Sequence, residues 1–379
     1  MKTCIVGGGP SGLFLACLLK KSGISQQVVV IEQNPKNATY GFGVALANTA
    51  IDKLNEADPV TMQALESKMY FGSTQVIENC TGEFKLESNF PSGAINRLDL
   101  LQVLEQRCAE LSVDVRYEQR VGDLAQLDDF DLVVGADGAN SLVRSKHEAE
   151  FGTRRERRGN WFAWYGCQHT EPGAGLRFRR YRGHSLMAHY YAYTPDMWTF
   201  VGETDAQSWI DLGMDEMTDG ERRILCEEAF SDVLEGRPLV ENNSRWTQFV
   251  ATTNERWSFD NRVLIGDALF RAHYSIGSGT RLAMEDALGL ATALEASSGD
   301  VETALQNFEA FGKPRKQKLM AACENSYKWY ERVHEMLDVP VLEFIHDFMN
   351  RTGRMPADRL RLYAPNFAEA YEAQTADAV

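Results

Sequence analysis

Four groups of residues have types and spacing suited to chemistry. The first is Gly7-x-Gly9-x-x-Gly12, set between the apolar run Thr3–Val6 and a helical pattern over Leu13–Lys21. Gly7 permits a tight turn, Gly9 lets the backbone approach a pyrophosphate, and Gly12 lets helix and strand pack closely. The helix start offers free N–H groups and a positive dipole end to phosphates. Glu32 closes the next apolar run, Val28–Ile31, about twenty residues on, where a carboxylate can hold a ribose. The second and third groups are Asp137-Gly138 and Gly266-Asp267, each ending a short apolar run, with His273-Tyr-Ser-Ile-Gly277-Ser-Gly279-Thr280 after the latter. Alone, such aspartates cap turns. The fourth is a set of rings: Tyr165, His189, Tyr191, Tyr193 and His273. Histidine and tyrosine can orient a phenol or aniline or assist its deprotonation; each is also an ordinary core aromatic.

These groups need elements to position them. Strand, glycine turn, helix and strand make a βαβ opening, with Gly23 ending the helix. The apolar stretch after Lys2 superficially resembles a signal peptide. Glycines interrupt it from Gly7 to Gly12 and no cleavage pattern follows, so it reads as part of the fold. Leu98, Leu101, Leu104, Cys108 and Leu111 recur at helical spacing, and Val113, Val115 and Tyr117 alternate as in a strand. From Trp161 to Val201 aromatic and β-branched residues, with turns at Pro172-Gly173 and Pro195-Asp196, predict a large antiparallel sheet. Within it His189, Tyr191 and Tyr193 share one face. A helix is expected over Arg222–Leu234, a strand over Val263–Ile265 and a long helix over Gly279–Leu294. The remainder reads as helical and charged, ending in an Ala-rich, acidic tail expected to be disordered.

Charge and cysteine usage narrow the function. The formal net charge is −15, which disfavours nucleic acid and anionic membranes. Seven scattered cysteines without a C-x-x-C pair argue against a disulfide framework and a zinc site, and fit a reducing, cytoplasmic setting. No metal is expected, and no apolar run is long enough to span a bilayer. Two arginine clusters, Arg154-Arg155-Arg157-Arg158 and Arg177-Arg179-Arg180-Arg182, are either phosphate sites for NADPH or a coenzyme A thioester or solvated charge runs.

The three motifs in this order, with Asp131–Arg144 around the second and Met284-Glu285-Asp286-Ala287 after the third, resemble the aromatic-hydroxylating flavoprotein monooxygenases related to para-hydroxybenzoate hydroxylase. The resemblance implies that Gly7, Gly9, Pro10, Ser11, Gly12, Glu32 and Gln33 surround the ADP half of FAD. Val44, Arg97, Asp137, Gly138, Gly266 and Asp267 would be further FAD contacts, with Asp137-Gly138 also near NAD(P)H and Asp267 on the ribityl chain. Gly277, Gly279 and Thr280 would stand beside the flavin ring, where the helix start can stabilise negative charge on the reduced ring. His189, His273 and Tyr191 are the catalytic candidates, and Tyr165 and Tyr193 the substrate-binding ones.

Tyr40-Gly41-Phe42-Gly43-Val44, Trp164-Tyr165-Gly166, Ala188-His189-Tyr190, Trp198-Thr199-Phe200 with Glu203, and Asn325-Ser326 with Trp329 are similar to a closer branch. It holds salicylyl-CoA 5-hydroxylase, 2-aminobenzoyl-CoA monooxygenase and the violacein-pathway hydroxylase, and the similarity extends to about Glu331. The family's proline-rich loop is replaced by His273–Ile276, which puts para-hydroxybenzoate-like substrates in doubt.

The expected fold is α/β. A Rossmann-like FAD-binding domain occupies residues 1–150, with some sheet contribution from about 65–95. A largely antiparallel β-sheet substrate domain is inserted over 151–258, the FAD-binding domain returns over 259–296, and C-terminal helices fill 297–379. The expected activity is NAD(P)H- and O2-dependent hydroxylation of a small aromatic substrate, an aryl-CoA thioester or an indole-derived metabolite, through a flavin hydroperoxide. A monomer or homodimer is expected, without a separate reductase. The competing readings are a halogenase or reductase on the same fold, or a non-catalytic flavin sensor. The G-W-x-W-x-I-P segment of halogenases does not occur; Trp161-Phe-Ala-Trp164 is a partial echo.

Overall fold

Continuous apolar runs and one glycine turn build the first layer. In the computed structural model, which describes residues 1–39, 41–47, 51–170, 173–243, 245–277 and 279–377, β1 (Lys2–Val6) leads into α1 (Pro10–Ser22) and β2 (Gln27–Ile31). Ser11 to Leu19 of α1 are all buried, because the helix is apolar all round and is packed between neighbours. Gly23, at φ 73°, gives the left-handed turn that stops it.

The chain then leaves this layer through β3 (Gly43–Ala47), α2 (Ile51–Ala57), α3 (Pro59–Glu66) and a hairpin of β4 (Tyr70–Asn79) and β5 (Gly82–Asn96). It returns through α4 (Arg97–Glu110), β6 (Asp114–Arg116) and β7 (Leu132–Gly135), followed by the short helices α5 (Leu142–Ser145) and α6 (Glu148–Phe151). The next strands are β8 (Thr153–Gln168), β9 (Ala174–Tyr181), β10 (His184–Thr194) and β11 (Met197–Thr204). After α7 (Ala206–Asp211), α8 (Asp219–Ala229) and α9 (Ser231–Leu234) come β12 (Leu239–Val240), β13 (Thr247–Asn254), β14 (Ser258–Phe259) and β15 (Arg262–Leu264). Five helices finish the chain: α10 (Gly279–Ala296), α11 (Val301–Glu331), α12 (Val341–Asn350), α13 (Ala357–Tyr363) and α14 (Pro365–Asp377).

Two sheets result. The first has the order β14-β15-β7-β1-β2-β6, parallel except for β14 against β15. The second runs β12-β8-β11-β10-β9-β4-β5-β3, with β13 also on β8, and is antiparallel except where β4 meets β9. One of its faces packs on α7–α9 through Tyr165, Ala188, Phe200 and Trp209. At the β4–β5–β9 end, Ile77, Leu86 and Phe178 pack under Trp329, Tyr330, Phe344 and Phe367 from the closing helices. The long helix α11 joins both regions, with Phe308 in the nucleotide-side core and Tyr330 in the other.

The acidic tail corrects its expectation. It is the helix α14, with Phe367 and Ala368 buried because an apolar stripe faces the back of β5. Asn366 also bonds the β5 backbone at Lys85 and Glu87. The predicted turn residue Pro172 lies outside the described residues. Among the described residues no helix is long and apolar enough to cross a membrane.

Phe367 is fully buried and meets Phe84 edge-on at 5.6 Å. Phe367→Ala is expected to cost about 3–4 kcal/mol, read as a lowered denaturant midpoint; an unchanged midpoint would mean the last helix adds nothing to the fold.

Candidate active site

The glycine turn forms because two of its glycines have no space for a side chain. Gly7 has φ +108°, and a Cβ there would lie 2.4 Å from the carbonyl oxygen of Ala136. A Cβ on Gly12 would lie 2.1 Å from the Gly7 carbonyl. Gly9 differs, because a Cβ there would meet nothing within 4 Å. Its backbone is bare beside the start of α1, which has no side-chain cap and carries Pro10 in its first turn. Glu32 steadies the turn: Oε2 accepts from the Gly8 N–H at 2.8 Å, and Oε1 from the Asn34 N–H at 2.8 Å. Gln33 follows as an exposed residue.

The other motifs converge on this turn. Gly266, at the end of β15, has φ +60°, and a Cβ there would be 2.9 Å from Ser11 Oγ. Its N–H donates to Asp286 Oδ2 at 3.1 Å, and Asp286 Oδ1 pairs with Lys316 at 2.6 Å. Asp137 Oδ2 accepts from the Leu142 N–H at 2.6 Å, while its Oδ1 is buried with no hydrogen-bond partner. Burial raises the Asp137 carboxyl above its usual range, against the pull of the Ser141 side chain and of nearby backbone N–H groups such as that of Leu142. Arg144 is fully buried and binds three carbonyls, donating to Ala268 at 2.9 Å, Asp267 at 3.4 Å and Ala139. It ties the second motif to the third.

Asp267 is raised by burial, opposed by Arg271 and Arg97. Arg97, first residue of α4, is lowered by burial, opposed by Asp267 and Tyr191. Val44 pairs with Ile95 across β3 and β5. Gly138 (φ +75°) and Gly277 (φ +58°) are left-handed, and added side chains at Gly138, Gly277 or Gly279 would meet nothing within 4 Å. Gly279 and Thr280 open α10. Ser278 and Tyr40 lie outside the described residues. Bare backbone at Gly9, the uncapped helix start, the orphaned Asp137 oxygen and the open loop before α10 fit an extended dinucleotide such as FAD.

A cavity of about 540 Å³ lies beyond that loop, with Ser275, Ile276 and Gly277 on one side and Trp164, His189, Tyr191 and Tyr274 among its other walls. His189 Nε2 lies 3.0 Å from Glu203 Oε2, and Glu203 Oε1 accepts from Asn160 Nδ2 at 2.7 Å. Glu203 is fully buried. Burial pushes its carboxyl up, but His189, His273 and Asn160 outweigh this and hold it below the usual range. Burial and the Glu203 charge push the Tyr274 phenol well above its ordinary value.

The five substrate-side candidates separate. His189 and Tyr191 line the cavity. The Tyr191 hydroxyl donates to the Gly43 carbonyl at 2.9 Å, and Tyr193 covers Gly43, where a Cβ would lie 2.4 Å from the tyrosine Cβ; both hold β3 in place. His273 stacks behind Tyr274 at 4.2 Å, with Nδ1 accepting from the Ser275 N–H at 3.3 Å. Tyr165 is on the other face, in the α7–α9 core, accepting from Trp246 at 2.9 Å. It is not among the cavity walls, a correction set by register, because Tyr165 pairs with Phe200 and Phe200 with Tyr190.

Sequence reasoning gave no role to Glu203, Asn160 or Tyr274. A carboxylate in the run Phe200-Val201-Gly202-Glu203 was the available signal, because an unpaired charge is costly in a buried strand. The arginine clusters are largely committed to partners. Arg177 pairs with Glu78 and Glu83, Arg179 with Glu78 and Asp232, Arg180 with Asp338 and Arg182 with Glu228. Arg158 lies 3.7 Å over the Tyr327 ring.

The FAD binding domain family matches residues 1–129 and 113–322. Salicyloyl-CoA 5-hydroxylase from a Streptomyces species is 37% identical over 366 residues, covering 93% of this chain and 70% of that protein. The 3-hydroxy-4-methyl-anthranilyl-[aryl-carrier protein] 5-monooxygenase of Streptosporangium sibiricum is 34% identical over 358 residues, covering 94% and 95%. Protodeoxyviolaceinate monooxygenase of Chromobacterium violaceum is 28% identical over 373 residues, covering 94% and 96%.

Gly12→Ala places a methyl carbon on the Gly7 carbonyl and is expected to abolish FAD retention, read as the ratio of flavin to protein absorbance. Gly220→Ala, whose Cβ would meet only Thr218 Oγ1 at 4.0 Å, should retain FAD fully. Burial lowers His273 to about 4, with Glu203 opposing and His189, Arg158 and Arg271 adding to the shift. A depressed histidine contributes stability above its unfolded pKa near 6.5 and loses it as pH falls toward 4; the loss is about 3 kcal/mol. His273→Gln should flatten the denaturation-derived stability profile across that window, and an unchanged profile would assign the slope to other groups.

Proposed function

The chain belongs to the FAD binding domain family and is an FAD-dependent aromatic monooxygenase, and on that premise we propose that its substrate is an arylcarboxyl thioester with a hydroxyl or amino group ortho to the thioester. Two relatives above 30% identity carry names with such acyl groups, joined to coenzyme A in one and to an aryl-carrier protein in the other, and both are named for ring position 5. That position is para to the ortho donor, the carbon whose electron density the donor raises. The observation that carries the reading here is the His189–Glu203 pair at 3.0 Å in the wall of a cavity shared with the Ser275–Gly277 loop.

Bound FAD, reduced by NADH or NADPH, supplies the oxygen chemistry with O2 as co-substrate. Glu203, ionised and fixed by Asn160, accepts a hydrogen bond from the Nε2–H of His189, which leaves Nδ1 as the ring's acceptor. A ring hydroxyl or amine bonded to Nδ1 is drawn toward its deprotonated form, which strengthens the ring as a nucleophile. Glu203 then stabilises the imidazolium that forms, as a buried carboxylate does behind a catalytic histidine. Trp164 and Tyr274 give the ring apolar walls that exclude water. Arg97, Asp267 and the bare backbone at Gly277 and at Gly279 would hold the flavin ring and its ribityl chain, and Glu32 the ribose of the ADP half.

The test follows NADH and NADPH oxidation by FAD-loaded protein with 2-aminobenzoyl-CoA, salicylyl-CoA, the free acids and simple indoles, with product mass. Stimulation by the thioesters and a product one oxygen heavier is expected. Stimulation by indoles alone would move the substrate toward the violacein-pathway relative. Bound FAD with no stimulation by any class would remove the substrate reading. His189→Ala and Glu203→Gln should keep FAD and lower substrate-stimulated turnover by roughly 10²-fold; unchanged kinetics would take the pair out of the mechanism.

A further inference from the structure

The cavity wall has a charge pattern opposite to that of the chain. Asp and Glu number 54 against 39 Lys and Arg, yet the described residues lining the cavity include Arg281, Arg351, Arg354 and Arg359 and no carboxylate. Arg281 is paired with Glu285 at 2.5 Å. Arg351 bonds only neutral groups: Ser326 Oγ at 3.0 Å and the carbonyls of Phe348 at 2.7 Å and Ser275 at 2.9 Å. Arg354 donates to the Lys318 carbonyl and Arg359 to the Arg354 carbonyl, and both side chains are exposed. Among the described residues these last three have no carboxylate within ion-pair distance. Guanidinium groups left without anions at a cavity mouth suit phosphate, which they grip in bidentate fashion.

A second feature lies at the same exposed end. Phe90 and Tyr363 both line the cavity and stack on each other, 6.4 Å apart with planes 12° from parallel. Phe90 is 42% exposed, so the pair presents ring surface to solvent at the cavity rim. Aromatic side chains of this kind are platforms on which a nucleobase stacks.

We propose that the outer end of the cavity binds the phosphorylated nucleotide head of a coenzyme A-type thioester, with Arg354 and Arg359 on its phosphates and Phe90 and Tyr363 against its base. The proposal rests on the thioester reading above and narrows it. The acyl ring goes to His189, the pantetheine arm crosses the cavity, and the nucleotide stays at the rim. The phosphate site falls outside both arginine clusters visible in the sequence.

The experiment compares the FAD-loaded wild type with the double variant Arg354→Ala/Arg359→Ala and with Phe90→Ser. The substrates are an aryl-CoA, the same aryl 4′-phosphopantetheine thioester and the uncharged pantetheine thioester. KM for the CoA thioester should rise roughly tenfold or more in the double variant, as expected for lost charged contacts, and several-fold in Phe90→Ser, with kcat within about twofold. KM for the pantetheine thioester, KM for NAD(P)H and flavin content should not change, and Arg354→Lys/Arg359→Lys should recover part of the loss. Equal KM values of the wild type for CoA and phosphopantetheine thioesters would overturn the nucleotide site and favour a carrier protein. A loss that followed NAD(P)H instead would overturn it too. Calorimetry with 3′-phosphoadenosine 5′-diphosphate alone separates the two readings. Binding that the double variant loses supports the site even if no thioester is turned over, and no binding to the wild type sinks it even if thioesters are hydroxylated.

Discussion

The architecture depends on one buried guanidinium. Arg144 has no exposed surface and satisfies the carbonyls of Ala139, Asp267 and Ala268, so two loops far apart in the chain share one hydrogen-bonding centre. Removing it would take a donor from all three carbonyls; Ala268 keeps Asn254 Nδ2 at 3.2 Å, and any of them left unmet in the interior costs roughly 1–3 kcal/mol. The geometry that follows is tight. Ala136 seals one side of the glycine turn at Gly7, and Gly266 seals another at Ser11. Asp137 and the Gly266-Asp267 pair, carried by the two clamped loops, are thereby set beside the glycine turn. Everything between residues 144 and 267 is a long excursion that must leave and re-enter beside this point, which brings its sheet against the loop before α10.

That excursion turns an ordinary sheet into a wall with two chemistries. On β10, Leu186, Ala188, Tyr190 and Ala192 enter the helix-backed core, while His189 and Tyr191 between them line the cavity. Burying Glu203 on the cavity side is tolerable because Asn160 and His189 meet its oxygens, and the same contacts fix how His189 presents itself. Tyr191, Tyr193 and Thr199 meanwhile hold Gly43, so β3 is anchored by β10 and β11. Each half of the molecule therefore sets the position of the other.

How much of this can be read without coordinates follows from range. The glycine turn and the strands that lead to Glu32, Asp137 and Asp267 were legible because each answers a local demand of backbone or hydrophobic patterning. The shared face of His189, Tyr191 and Tyr193 was legible because strand parity is local too. Tyr165 was misplaced because its face depends on cross-strand register, which no spacing within β8 reveals. Glu203 gained a role only when Asn160 and His189 came within reach from other strands. The arginine clusters stayed open between two readings for the same reason: Glu78 and Asp232, which occupy Arg179, are distant in sequence. Helix α14 was taken for a tail because its alanines and acids hide a short apolar stripe, Phe367, Ala368 and Tyr371, that means little until β5 supplies the other surface.

The helices that follow α11 rest on the sheet through Phe344, Phe348 and Phe367, and their contacts leave the glycine turn and the Arg144 clamp untouched. The rim is therefore separable from the nucleotide cradle, although Arg351 ties it to the Ser275 carbonyl of the loop before α10. Mutational drift in these helices can reshape the entrance while the cradle and the histidine pair stay under their own constraints. Lineages sharing such a scaffold can diversify in what they admit while conserving what they do, and grafting these helices between homologues is a natural route to retargeting it.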